Sequence, residues 1–268
     1  MKVFLSHGLV LLAVVLLAGS VFGQTQTAGQ APASDPQALA LASQAIAGLT
    51  GGASLRDVTL TGTETHIAGS LTETSPVTLK AMGTDNARVD RQLSTTFEIR
   101  TNLSGIPAGS WTGADGASHL MAEQNCWTDA AWFFPVFSSA FSFNKDVRLA
   151  YVGLETLSDV SVQHIRASRV AFDKSGNPVA MIAGWSQVDA YLDAQSLLPI
   201  DVRFNVYPDN DTNVRIPVEI IYSDYRVVNG IHVPFHIQKY LQNVLNLDLT
   251  ITSATFNSGL SSSNFQVQ

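Results

Sequence analysis

The sequence predicts a mainly β protein of the α+β type, built on an antiparallel sheet with one apolar face. Three features point to it. From Ile231 every second residue is apolar (Ile231, Val233, Phe235, Ile237), with His232, Pro234, His236 and Gln238 between them, and Leu245, Leu247, Leu249 and Ile251 repeat the pattern against Asn246, Asp248, Thr250 and Thr252. A period of two places one set on each face of a strand. Asn229-Gly230 supplies the two positive-φ residues of a type I′ turn, so 214–228 and 231–241 are expected to pair as a hairpin, and 242–244 turns the chain again. The other alternating runs, roughly ten to twelve strands in all, are joined by short connections that suit antiparallel neighbours.

With 268 residues, 46% hydrophobic and only 14% charged, the chain can bury one sizeable core. No Pro/Gly/Ser linker divides it and no fixed period repeats, so 35–268 reads as one domain. A net charge of −7 with no Lys/Arg cluster excludes a nucleic-acid surface. Residues 1–23 have the form of a secretory signal peptide: Lys2 starts it, 9–18 is an apolar run too short to span a bilayer, and Val21 and Gly23 permit cleavage before Gln24. Ser20 stands where a bacterial lipoprotein signal would carry its cysteine. The expected location is the periplasm or the exterior. Cys126 is the only cysteine, so packing rather than an intrachain disulfide must supply stability; beside Trp127 it reads as a small buried hydrophobe.

Along the chain, 24–34 is polar and Pro-rich and reads as a disordered leader. A helix follows, capped by Ser34 or Asp35, with Pro36 in its first turn, an apolar stripe of Leu39, Ala42, Ile46 and Leu49, and Gly51-Gly52 as its stop. Short strands are expected at 55–67, 77–82, 86–92 and 96–102, with turns at Gly69-Ser70, Gly83-Thr84, 105–109 and 114–118. From His119 the composition changes: Trp127, Trp132, Phe133, Phe134, Phe137, Phe141 and Phe143 crowd one stretch. Pro135 interrupts it, so two short helices should meet there, embedded on several sides because the aromatics share no single face. Strands resume at 147–157, 160–172, 185–193 and 200–206, the last two setting Val188, Ala190 and Leu192 against Asp189, Tyr191 and Asp193, and Val202 and Phe204 against Asp201 and Arg203.

Little here suggests catalysis. His232 and His236 share a strand face about 13 Å apart at roughly 3.3 Å per residue, too far to chelate one ion, and are expected to be solvated. Gly184-Trp185-Ser186-Gln187-Val188 lacks the second glycine of a nucleophile elbow and precedes an antiparallel strand. Asp189, Asp193 and Asp201 read as an exposed acidic face. Asn102-Leu103-Ser104 and Asn210-Asp211-Thr212 are sequons of a frequency expected by chance. No phosphate loop, dinucleotide fingerprint or zinc motif occurs.

The order of elements resembles the LolA/LolB-type outer-membrane lipoprotein carriers over most of the chain beyond the leader. The likeness rests on the early helix ending in Gly51-Gly52, on Tyr151-Val152-Gly153-Leu154-Glu155 followed by Val162-Gln163-His164-Ile165, and on the stretch from Val188 to Asp193 leading to Leu198-Pro199-Ile200. Tyr222-Ser223-Asp224-Tyr225-Arg226, Asn229-Gly230-Ile231, Val233-Pro234 and Asn264-Phe265 complete it. The resemblance implies a strongly bent antiparallel sheet forming an incomplete β-barrel, with short helices as a lid or plug over an acyl-chain cavity. It implies no cofactor, no metal and no catalytic residue. The cavity and lid would be lined by Trp127, Trp132, Phe133, Phe134, Phe137 and Phe141 from the aromatic segment. From the strands it would draw on Val188, Leu192, Val202, Phe204, Val233, Phe235, Leu247 and Leu249. The family's lid-tethering arginine has no clear match among Arg88, Arg91 and Arg100. The function expected is a monomeric, exported carrier or sensor of a lipid or lipoprotein acyl chain. The alternative is a non-catalytic interaction protein with a plugged barrel and an envelope protein partner.

Overall fold

The computed structural model describes residues 33–104, 106–128 and 130–267. The signal sequence expected at 1–23 and the leader up to Pro32 lie outside the described residues. Ser34, expected to belong to a disordered leader, is instead fixed: its Oγ accepts from the Leu149 amide at 3.1 Å, and the next amide, Asp35 N–H, donates to Leu149 O at 2.8 Å.

Helix α1 (Pro36–Thr50) begins as its sequence predicts, with the Asp35 carboxylate accepting from Gln37 N–H at 2.7 Å and Pro36 at the first position. It ends at Gly51, φ 58°. A Cβ there would lie 2.8 Å from Gly230 O, so both backbone handedness and close approach call for glycine. The buried face is Ala38, Ala42, Ala45 and Leu49, with Leu39 and Ile46 at its margins.

Six strands follow as one meander: β1 (Asp57–Ala68), β2 (Leu71–Met82), β3 (Asn86–Arg91), β4 (Glu98–Asn102), β5 (Ala108–Thr112) and β6 (Ser118–Leu120). Helix α2 (Glu123–Cys126) and two 3-10 turns, Pro135–Phe137 and Ser139–Phe141, lead to a second meander. This comprises β7 (Val147–Leu157), β8 (Val160–Arg169), helix α3 (Ala180–Trp185), β9 (Val188–Asp193), β10 (Pro199–Val206), β11 (Ile216–Val228), β12 (Ile231–Leu241) and β13 (Val244–Phe256). A last 3-10 turn, Ser262–Phe265, lies against β3 and β4, where Gln266 O accepts from Arg100 at 2.7 Å.

Every pairing is antiparallel, and β1 joins β13 to give one sheet of thirteen strands ordered β6-β5-β4-β3-β2-β1-β13-β12-β11-β10-β9-β8-β7. The two edges, β6 and β7, are consecutive in sequence, so the aromatic segment between them has to travel from one edge of the sheet to the other. The sheet curls strongly to permit this. Arg169 at the end of β8 pairs with Asp85 in the β2–β3 turn, groups that a flat sheet would hold about 30 Å or more apart at roughly 4.8 Å per strand. Because β6 and β7 do not pair, the barrel is incomplete.

Asn229 and Gly230, φ 51° and 83°, make the expected hairpin turn. Four local expectations are corrected. Strands β5 and β6 were not expected: they begin at the ends of the turns read at 105–109 and 114–118 and run on through residues read as no strand, because these short runs carry no apolar alternation to announce them. The strand expected from 185 begins at Val188, since Ala180–Trp185 is helical and Ser186 caps it through an Oγ–H bond to Ile182 O at 2.6 Å. The two short helices expected to meet at Pro135 are 3-10 turns meeting at Ser138; Pro135 opens the first, where its missing N–H has no partner to lose. Phe143, expected to be embedded, is 54% exposed because the chain there leaves the barrel for β7.

Candidate functional site

The aromatic segment fills the hollow of the half-barrel. Ala130, Ala131, Phe133, Phe134, Val136, Phe137, Ala140 and Phe141 are all buried. The Phe134 ring packs edge-on to Phe137 at 5.4 Å and lies 6.0 Å from Phe256 of β13, and Phe133 stands edge-on to Trp132 at 5.7 Å. No single helical face could hold rings at 132, 133, 134, 137 and 141; a concave sheet meets them from several sides. Polar bonds fix the start of the segment. The Asn125 amide accepts from Tyr207 N–H at 2.7 Å and donates to Tyr207 O at 2.8 Å, while the Gln124 amide donates to Pro208 O at 3.1 Å. Tyr222 Oη donates to Trp132 O.

Most of the residues expected to line a ligand space form packed core instead. Phe133, Phe134, Val188, Leu192, Val202, Val233 and Leu249 are fully buried, and Phe137, Phe141 and Phe235 nearly so. Three of the expected residues, Trp132, Phe204 and Leu247, come together on a cavity of about 260 Å³. Val89, Ile99 and Val206 complete its apolar wall from the sheet, and Met121 and Ala130 from the aromatic segment. Trp127 lies elsewhere, on a polar cavity of about 420 Å³ with Asp85, Leu103 and Arg169. Cys126 is buried against Ala122 O at 3.5 Å, and burial, then Glu123, pushes its thiol up to about 11, as suits an inert core residue.

One end of the 260 Å³ cavity is cationic, which the sequence reading missed. Lys239 continues the inward row Ile231, Val233, Phe235, Ile237. Its half-buried side chain sets Nζ 5.0 Å above the Trp132 ring, and no carboxylate among the described residues lies within ion-pairing distance of it. Burial, and secondarily Arg91, lowers this ammonium to about 8. Arg91 also lines the cavity, in phase with Ala87 and Val89, and pairs with Glu64 at 3.1 Å, the two side chains 8% and 1% exposed. Burial raises Glu64 although Arg91 opposes it, and lowers Arg91 although Glu64 opposes it. His66 is lowered by burial, then by Arg91, while Glu73 raises it and Lys239 lowers it further. A bulge in β13 at Asn246 turns that amide into the wall, donating to Ile67 O at 3.0 Å. Of the three arginines, Arg91 alone faces inward; Arg88 and Arg100 pair with Glu98, and Arg88 with Asp90 as well, on the outer face.

The outer face corrects the reading of its aspartates. Asp189 and Asp201, expected to be exposed, are 9% and 3% exposed, because basic and aromatic side chains close over them. His164 bridges Glu155 at 2.8 Å and Asp189 at 2.7 Å and stacks on Tyr191. Burial alone would lower its imidazole, but these bonds outweigh burial and raise it. Arg203 joins Asp201 at 2.7 Å to Glu219 at 2.6 Å. For Asp201 burial outweighs that pairing and, with Glu219 adding repulsion, raises the carboxyl to about 7. Asp193 caps the turn after β9, accepting from Ser196 N–H at 2.7 Å. His236, expected to be solvated, is half-buried between Asp248 at 3.1 Å and Ser223 at 3.0 Å, and His232 Nδ1 lies 3.0 Å from Gly48 O. Among the described residues no group of three metal-binding side chains converges.

No family model matches the sequence, and no curated protein matches it. Solved structures are similar to it over most of its length. A Vibrio parahaemolyticus domain named for outer membrane lipoprotein sorting is 14% identical at a TM-score of 0.56, covering 85% of this chain and 95% of that one. A DUF1329 family protein from Desulfovibrio piger is 11% identical, TM-score 0.55, covering 88% and 100%. A LolA superfamily protein from Nitrosomonas europaea is 11% identical, TM-score 0.54, covering 85% and 97%. At these identities the likeness establishes a LolA-like fold.

Proposed function

We propose that this chain is an exported carrier of a lipid or lipoprotein acyl chain, seen here closed, with the aromatic segment in the place the acyl chain would take. One observation supports it above the rest: the hollow of a LolA-like half-barrel is filled by a segment that belongs to no strand of the sheet. The exchange is energetically reasonable. Burying Phe133, Phe134, Phe137 and Phe141 contributes about 6–12 kcal/mol together, and an acyl chain of about fourteen methylenes contributes about 11 kcal/mol at roughly 0.8 kcal/mol each. Neither occupant wins decisively, as a carrier that must both load and unload requires. Residues 35–268 would act as one unit, monomeric, without cofactor or catalytic group, in the periplasm or outside the cell.

The completeness of the packing favours a second reading, a non-catalytic envelope interaction protein whose barrel stays plugged. Native mass spectrometry with lipid extraction, on protein purified from an exporting bacterial host, separates the two. Carriage predicts a bound lipid or lipopeptide that is lost in Trp132→Glu and Phe204→Glu, with circular dichroism showing that the variants fold. Protein that is free of lipid, and takes up none that is offered, supports the plugged barrel.

A further inference from the structure

We infer that the cavity beside Trp132 recognises the anionic head of an amphiphile, a carboxylate or phosphate monoester, through Lys239 and Arg91. This rests on the carrier reading and adds which lipids the carrier selects. An inward-facing lysine is costly where it stands: the same row supplies Ile231, Val233, Phe235 and Ile237 to the core, and a charge on such a wall needs a counter-charge. The carboxylate at this end, Glu64, is already committed to Arg91. The groups facing Lys239 from neighbouring elements are Arg91 of β3, Glu64 and His66 of β1 and Trp132 of the aromatic segment. With Lys239 itself they amount to two cations, one carboxylate and an imidazole held toward neutrality. The surplus is positive, inside a chain whose net charge is −7, so the site is a local attraction for anions that the protein as a whole repels.

The volume limits what can sit there. About 260 Å³ is below the ordinary range for a drug-sized ligand, about 300–1,000 Å³. It suits a head group and its first methylenes; the rest of a tail has to displace the aromatic segment. Trp132 is placed for both tasks, its face under Lys239 Nζ and its neighbours Leu247, Val89 and Ile99 apolar.

Isothermal titration calorimetry of the exported protein, stripped of lipid, tests this with decanoate and decyl phosphate below their micellar concentrations, decanol below its solubility limit, and inorganic phosphate. The two anionic amphiphiles should bind at least about tenfold more tightly than decanol, and inorganic phosphate should not bind. Lys239→Gln should erase that preference by weakening the two anions far more than decanol, and Lys239→Arg should keep it. Binding of the anions to the native protein should weaken as pH rises through about 8, and hold in the arginine variant, which stays charged. Equal affinity for decanol and decanoate, or an unchanged preference in Lys239→Gln, overturns head-group recognition while leaving carriage standing. Inorganic phosphate binding as tightly as decyl phosphate overturns it in favour of a free-anion site. If no amphiphile of any charge binds, the carrier reading fails and this one with it.

Discussion

The same strands present opposite chemistry on their two faces. On β9 and β10 the inner face is Val188, Ala190, Leu192, Val202 and Phe204, and the outer is Asp189, Tyr191, Asp201 and Arg203. Both faces also bury charge. Outside, the charges close on one another: His164 sits between two carboxylates, and Arg203 between two more. Inside, Lys239 looks across a cavity and meets an indole rather than a carboxylate. Buried charge alone therefore does not mark a ligand site. The outer network is what a twisted, highly curved sheet can use to hold its convex surface together, whereas Lys239, on the inner face, has no carboxylate among the described residues within ion-pairing distance.

The largest effect should come from the inner packing. Phe134→Ala removes a ring that is fully buried between Phe137 and Phe256, and should cost about 3–5 kcal/mol, read as a fall in Tm of roughly 6–20 °C. Decanoate should restore part of that loss by occupying the vacated space. A cost below about 1 kcal/mol would mean that the segment is not an integral filling, and the contrast between the faces would collapse.

Next comes the inner ion pair. Arg91→Met leaves Glu64 buried without its partner and should cost about 3 kcal/mol, most of which the double variant Arg91→Met/Glu64→Leu should recover. Chemical denaturation of the two variants checks it. Recovery would show that the pair is retained for something other than stability; equal losses would show that it is structural, like the outer network.

The outer network should respond to pH. Asp201 has a folded pKa near 7, above its ordinary value, so the native state holds its proton more tightly than the unfolded chain does. The stability it contributes is complete below its unfolded pKa and is lost as pH rises through about 7. Asp201→Asn cannot titrate, so its stability relative to the native protein should rise between about pH 4 and about pH 8, by on the order of 4 kcal/mol. Denaturation midpoints at several pH values test this, and a flat difference would remove burial as the dominant influence on Asp201.

The sheet was largely legible because period-two alternation is long in β11–β13 and the Asn229-Gly230 turn fixes its register; the α1 caps were legible through Asp35, Pro36 and Gly51. Strands β5 and β6 were not, since Ala108–Thr112 and Ser118–Leu120 are too short and polar to show a period. Of the candidate site, the sequence indicated the aromatic filling but not its cationic end. The signal was present: Lys239 falls in step with Ile231 to Ile237, and Arg91 with Ala87 and Val89, so continuing each alternation by one residue puts both charges on the oily face. Asp189 and Asp201 were misread for the converse reason. Alternation says which face a side chain takes, but not whether neighbours such as Tyr191 and Arg203 will close over it.

The smallest effect should be the most informative about motion. Tyr222 Oη donates to Trp132 O from the inner face of β11, tying the aromatic segment to the wall that it covers. Tyr222→Phe keeps the ring and removes that bond, at a cost of about 0.5–1.5 kcal/mol. If the segment and an acyl chain compete for the same space, weakening the segment's hold must favour the chain by a similar amount. Hydrogen exchange should then accelerate at the amides of Phe134, Phe137 and Phe141, each bonded within the segment, while those of β9 and β10 are unchanged, and decanoate affinity should rise by up to about tenfold. Faster exchange without tighter binding would mean that the segment can loosen and the hollow still refuse a ligand, which is the behaviour of a plug rather than of a closed carrier.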